Sequence, residues 1–191
     1  MHTEKEAVEG YKFYHQILLN SLKPCEQSVV KAYTKKGDKG YTKDYAGRKH
    51  RKDNLIIVVG GKIDALQSAI DAAMLHARGR DRHMLDEIQR KLWQTAAEIS
   101  KCDKKCLIAP VTERDLKELE NFIDKLGRPP TKFVRFITRQ AIVYNECRVR
   151  ARELETFAVK LLAKKQLRRI AYDYLNRLSS AFFMLAYKST K

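Results

Sequence analysis

The sequence predicts an all-α fold, an antiparallel bundle of amphipathic helices. Apolar residues recur at three- and four-residue steps from Lys62 almost to the end of the chain, the period of a helix with one buried face. The breaks between these stripes are short and carry glycine or proline, which favours antiparallel neighbours. Apolar residues make up 44% of the chain and charged residues 32%, enough for a core and for exposed helix faces.

In chain order, Val8, Tyr11, Tyr14, Leu18 and Leu22 place a helix over residues 3–22, and Pro24 ends it. The basic stretch 31–52 follows. Leu55 to Val59 is a five-residue apolar run before Gly60-Gly61. A short strand and the buried lead-in to a helix both fit it. Ile63, Leu66, Ile70 and Ala73 form the next stripe, broken at Gly79. Leu85, Ile88, Leu92, Ala96 and Ile99 form another, with Trp93 beside it. After Pro110, Thr112 and Asp115 have the spacing of an N-terminal capping pair. Leu116, Leu119, Phe122, Ile123 and Leu126 follow, and Gly127 stands where a helix-ending glycine belongs. Pro129-Pro130 impose an extended link. The longest helix is expected over 138–164, with Ile137, Ala141, Tyr144, Ala151, Leu154 and Ala158 as its apolar stripe. The last is expected over 166–188.

Residues 31–52 hold nine Lys/Arg against two acids, Asp38 and Asp44, so 9 − 2 gives a local charge of +7. Gly37, Gly40 and Gly47 break any helix or strand pattern, and aliphatic residues are nearly absent. A surface loop or ordered arm is expected. Glycines let backbone N–H groups approach a ligand, Thr34 and Thr42 add hydroxyls, and the lysines add mobile positive charge: the parts of a polyphosphate cradle. A disordered basic linker has the same composition. The whole chain carries +16, so an anionic partner is expected: nucleic acid, a membrane surface or a phosphorylated small molecule.

No run approaches the ~18–20 apolar residues of a membrane span, and MHTEKEAVEG lacks a secretory apolar region. A cytoplasmic protein with no membrane partner is expected. Cys25, Cys102, Cys106 and Cys147 are too scattered for a disulfide framework. Cys102 and Cys106 lie four apart with no His nearby to complete a zinc set, so no metal site is expected there.

Arg148, Arg152 and Glu155 share one side of the longest helix. A solvated, salt-bridged face and a binding site both fit them. Asn176-Arg177 interrupts the apolar pattern of the last helix, and Asp64 near the start of the first bundle helix also suits the helix dipole.

Together these segments resemble one family. Tyr33-Thr34-Lys35-Lys36-Gly37-Asp38-Lys39-Gly40, the basic run ending at Lys52-Asp53, and Gly61-Lys62-Ile63-Asp64-Ala65-Leu66 are similar to successive signatures of PduO-type ATP:cob(I)alamin adenosyltransferases. Arg148-x3-Arg152-x2-Glu155 and Tyr174-Leu175-Asn176-Arg177-Leu178-Ser179 resemble the two later signatures, in the same order. The resemblance spans residues 31–188.

It implies an antiparallel five-helix bundle over residues 31–191, preceded by an N-terminal helical extension over 1–30. It further implies a homotrimer with sites between subunits, and transfer of the 5′-deoxyadenosyl group of ATP to cob(I)alamin with release of triphosphate, assisted by Mg²⁺. Cobalamin is then a substrate. Thr34, Lys35, Lys36 and Gly37 would wrap the triphosphate, with Thr42, Lys43 and Lys52 completing the clamp. Arg152, Glu155 and Asn176 would bind ATP from the late helices. Asp64 would pair with Arg148 across the subunit interface, and Arg152, Arg148 and Asp64 form the implied catalytic set. Phe133 would lie against the corrinoid, with Phe136 the second choice.

The chain also departs from the family pattern. Asp64-Ala65 stands where Asp-Glu is usual and Arg152-Glu153 where Arg-Arg is usual, an acid and a base lost together as a compensated pair. The Pro-Gly-Gly turn before the long helix is absent, Asn145 replaces a His, and Ser180 replaces an Asp. A non-catalytic homologue that binds ATP or nucleic acid through the basic surface is the alternative function.

Overall fold

The chain divides into two compact units, Met1–Lys35 and Lys36–Lys191. The computed structural model describes residues 33, 35–104 and 106–190. The expected helix over 3–22, Thr34 and Cys25 lie outside the described residues. The second unit runs β1 (Tyr41–Lys43), β2 (Lys49–Arg51), α1 (Leu55–Met74), α2 (Gly79–Ile99), α3 (Glu113–Lys125), α4 (Arg139–Ala163) and α5 (Arg169–Lys188). The expected five-helix bundle is thus present, with one two-stranded sheet added.

The sheet is a departure. β1 and β2 pair antiparallel, with Thr42 opposite His50, in the stretch whose glycines were expected to exclude a strand. Gly40 and Gly47 adopt positive φ of 77° and 80° at the turns, so they shape the hairpin rather than break it.

The five-residue run Leu55–Val59 resolves as helix. Asn54 has an extended backbone and its side chain accepts from the Ile56 amide at 3.0 Å, so α1 starts one residue later. Such a cap contributes about 1 kcal/mol. Val59, Ile63, Leu66, Ile70 and Ala73 are the face α1 buries. Arg78 and Arg82 then donate to the carbonyls of Leu75, Ala77 and Met74, satisfying the chain where α1 ends.

The capping pair before α3 forms as expected: the Asp115 amide donates to Thr112 Oγ1, and Asp115 Oδ2 accepts from the Thr112 amide at 2.8 Å. Gly127 ends this segment at φ 110°. Thr138 caps α4, accepting from the Ala141 amide at 3.1 Å, while its hydroxyl donates to the Ser189 carbonyl at the far end of α5. Ile137, expected in the buried stripe of α4, is instead 72% exposed, because it precedes the cap. α5 begins at Arg169, later than expected, after Lys165 turns the chain at φ 55°.

The helices pack in the spatial order α2, α1, α4, α5, α3, with the α4–α5 seam the most extensive. Leu154, Ala158, Leu161, Leu178 and Phe182 are fully buried at the centre. Arg168 closes the ends: it donates to Glu98 of α2 at 2.7 Å and to the Val111 carbonyl before α3 at 3.0 Å. No helix among the described residues is long and apolar enough to cross a membrane.

Candidate functional site

Because α4 and α5 run antiparallel, residues spaced three and four apart on each meet as rungs. Tyr172 donates its hydroxyl to Glu155 at 2.5 Å. Next, Arg152 and Ser179 line one hollow, and then Arg148 and Phe183 line the same hollow further along. This cavity, of about 470 Å³, is closed on its other side by Ile123, Gly127 and Pro129. A second hollow of about 410 Å³ lies across the α3–α4 link and shares Arg148 and Phe183 with the first. Phe133, Arg135, Phe136 and Asn145 line it. Glu155's hydrogen bond, followed by burial, raises the pKa of the Tyr172 phenol, which fixes it as the donor.

Arg148, Arg152 and Glu155 thus lie along the side of α4 that meets α5. Arg148 is half-buried, and its Nε donates to Asn145 Oδ1 at 2.8 Å, so Asn145 orients the arginine. Arg152 and Asn176 are exposed. Phe133 is 98% exposed, an uncovered ring. Asp64 is exposed on α1, and no ion pair joins it to Arg148 among the described residues.

The arm forms a second group. Lys52 folds back over Gly37, so that a Cβ there would sit 3.3 Å from Lys52 Nζ, and the Lys52 amide donates to the Gly40 carbonyl. A side chain at 37 would crowd the ammonium and make it shift by a few tenths of an ångström. Lys36 and Lys43 are exposed and Thr42 half-buried, while Lys35 takes a left-handed backbone with φ 57°. Asp44 organises the hairpin. Its side chain is 1% exposed and accepts from the Arg48 amide and guanidinium and from His50 Nε2 at 2.8 Å. Arg48 also donates to the Ser100 carbonyl at the end of α2, and Tyr45 meets Trp93 of α2 edge-on at 6.1 Å. The arm is thus docked, which excludes the disordered-linker reading for the described part. No hydrogen bond or ion pair joins it to the α4–α5 seam among the described residues.

Burial pushes the Asp44 carboxyl up, but the hydrogen bonds from Arg48 and His50 outweigh it and leave the group below its usual range. A lowered folded value contributes stability that is complete above the ordinary Asp value of about 3.9 and is lost as pH falls through the folded one. The arm should therefore stay docked from neutral pH down to about pH 4 and release below it. Emission of Trp93, the only tryptophan, reads this directly. Release already well above about pH 4 would take control of docking away from Asp44.

Glu153, the acid beside Arg152, is paired in the structure. Glu153 accepts from Lys62 Nζ of α1 at 3.1 Å and from Arg150 at 3.5 Å. The acid at 153 is thus answered by a base at 62, one turn before Ala65, and the pair joins α1 to α4. Sequence reasoning missed Tyr172, although it stands four residues before Asn176 and so on the same face. It also missed Phe183. Cys102 and Cys106, expected as separate thiols, form a disulfide. With Asp103 they are the one cluster of three side chains of metal-ligating type among the described residues, with both sulfurs open to a metal only when the disulfide is reduced.

Residues 32–189 match the family model described as cobalamin adenosyltransferase. The corrinoid adenosyltransferase MMAB of Bos taurus is 28% identical, over 83% of this chain and 70% of that one. The corrinoid adenosyltransferase of Bacillus subtilis is 29% identical, over 82% and 85%. A phenylalanine-to-alanine variant of a PduO-type ATP:corrinoid adenosyltransferase from Lactobacillus reuteri, complexed with cobalamin and ATP, shares the fold at a TM-score of 0.72. It is 24% identical and aligns over 83% of this chain and 93% of that one. With the match running from the arm to the end of α5, the chain belongs to the cobalamin adenosyltransferase family.

Proposed function

We propose that the protein transfers the 5′-deoxyadenosyl group of ATP to cob(I)alamin, giving adenosylcobalamin and triphosphate. The observation that carries this reading is the α4–α5 seam, where Arg148, Arg152, Glu155 and Asn176 are held off an otherwise apolar core at the family's signature positions. The cobalt(I) electron pair attacks C5′, the C5′–O bond breaks, and its electrons leave on triphosphate. Cob(I)alamin is the nucleophile, so the protein's work is positioning and charge stabilisation. Lys35, Lys36, Gly37, Thr42, Lys43 and Lys52, with Thr34, hold the triphosphate, and Arg152 stabilises the charge it gains. Glu155 and Asn176 bind ATP. Phe133 covers its exposed ring with the corrinoid, a burial that contributes about 2 kcal/mol.

Mg²⁺ supplies neutralisation of the triphosphate charge. The Cys102, Asp103 and Cys106 cluster is too soft for it. Asp44 is taken up by Arg48 and His50, which leaves the exposed Asp38 as the arm's carboxylate for it. The separation of arm and seam within one chain supports a homotrimer in which a neighbouring copy's arm meets this seam, and in which Asp64 pairs with Arg148 across the interface. We place the protein in the cytoplasm, with residues 1–30 as a helical extension of the 31–191 bundle.

The test is an anaerobic assay with ATP, Mg²⁺ and cob(I)alamin under strict reduction, followed by the corrinoid spectrum, with native mass spectrometry for the trimer. Adenosylcobalamin formation is expected. ATP binding without alkylation, accompanied by salt-steep binding of DNA or RNA, would replace this reading with a non-catalytic one.

A further inference from the structure

Adenosyl transfer as proposed uses no protein thiol, yet the structure places a cystine beside the arm's docking surface. The Cys102–Cys106 disulfide spans the loop between α2 and α3. That loop hangs on the last two turns of α2. The Cys102 amide donates to the Ala97 carbonyl at 2.9 Å, and Gln94 holds both the Cys106 carbonyl and the Ala109 amide. The same two turns dock the arm, through Trp93 against Tyr45 and the Ser100 carbonyl beneath Arg48. Ser100 stands two residues before Cys102. Closing the loop on itself removes conformations in which that carbonyl swings away from Arg48.

The surroundings suit a reactive pair. Cys102 and Cys106 are half-buried, and Lys101 and Lys104 flank them in sequence, which favours thiolate. Cys147 is the contrast: fully buried, with its thiol pushed up to about 12 by burial, it is inert. In a reducing compartment a disulfide of this kind is a switching one rather than a structural staple.

We propose that Cys102 and Cys106 are a reversible dithiol–disulfide site that sets how firmly the basic arm docks on α2, and so how tightly it holds a polyphosphate. The second half rests on the ATP reading above; the first does not. The oxidant is a low-molecular-weight disulfide such as oxidised glutathione. One protein thiolate attacks it, forming a mixed disulfide and releasing one glutathione thiolate. The second protein thiolate attacks the protein sulfur of that mixed disulfide, forming the Cys102–Cys106 bond and releasing the second. Two electrons pass from the protein to glutathione, and the released thiolates take up the two protons.

The experiment uses the full chain with Cys25→Ser, equilibrated without oxygen in graded mixtures of reduced and oxidised glutathione. Alkylation with mass spectrometry counts thiols, and emission and quenching of Trp93 report arm docking without any nucleotide. A single two-electron transition is expected, with Trp93 better shielded in the oxidised form and the Kd for MgATP lower by about fivefold. Adding Cys102→Ser and Cys106→Ser should fix both readings at the reduced values. Failure of the disulfide to form would overturn the proposal, as would its formation with an unmoved Trp93 signal. Zinc alone binding both thiols and blocking oxidation would make the cluster a cation site instead. A Trp93 response with no ATP binding in either state would sustain the redox site and sink the ATP reading.

Discussion

Arg152→Ala should lower kcat/KM for adenosyl transfer by about a hundredfold to a thousandfold, the usual cost of removing one preorganised charge donor from a developing anion. The melting temperature should barely move. Arg152 is exposed, makes no ion pair among the described residues, and contributes to the fold chiefly through its backbone carbonyl, which accepts from Thr156. If it acts on the leaving triphosphate, the loss falls on kcat rather than on the KM for ATP alone. Arg152→Lys should recover part of the rate, since a point charge replaces a planar fork. Steady-state kinetics at saturating cob(I)alamin decide this. A loss within about threefold would remove Arg152 from the chemistry and leave it as surface charge.

The bundle was legible because each helix buries one face, and a period of three to four residues is all that such a face requires. Ile63, Leu66 and Ile70, or Leu85, Ile88 and Leu92, are read as easily in sequence as in space. The Leu55–Val59 run was ambiguous because its type is set by Asn54, a residue outside the run, through one capping bond. The hairpin was missed for a different reason. It has no apolar alternation to detect, and it is held by a buried carboxylate, Asp44, that gathers Arg48 and His50 from the opposite strand and turn. Polar networks leave no period in the sequence. The same holds for Lys62 and Glu153, whose pairing joins residues 91 apart. The candidate face on α4 was readable because Arg148, Arg152 and Glu155 lie on one helix. Its other wall was read only in part, since Asn176 was noticed as a polar interruption while Tyr172 and Phe183 passed as ordinary members of an amphipathic helix.

Phe182 and Phe183 carry the sharpest separation of fold from function. One residue along a helix is a turn of about 100°, so the two rings leave α5 in different directions. Phe182 is fully buried in the core. Phe183 is half-buried, meets Phe136 edge-on at 6.0 Å and lines both hollows beside Arg148. Phe182→Ala should cost about 3–5 kcal/mol. Against a typical total of about 5–15 kcal/mol, that lowers the melting temperature by roughly 10 °C and leaves the remaining folded fraction active. Phe183→Ala removes a wall of the hollows rather than a piece of the core. It should keep most of the stability, raise the KM for cob(I)alamin by about tenfold, and leave the Kd for ATP unchanged, since the groups assigned to ATP lie on the arm and the Arg152, Glu155 and Asn176 end of the seam. Calorimetry with paired titrations of the two substrates separates the variants. An unmoved KM for cob(I)alamin in Phe183→Ala, or a destabilisation matching that of Phe182→Ala, would mean that the shared hollow is packing space and that the corrinoid binds elsewhere.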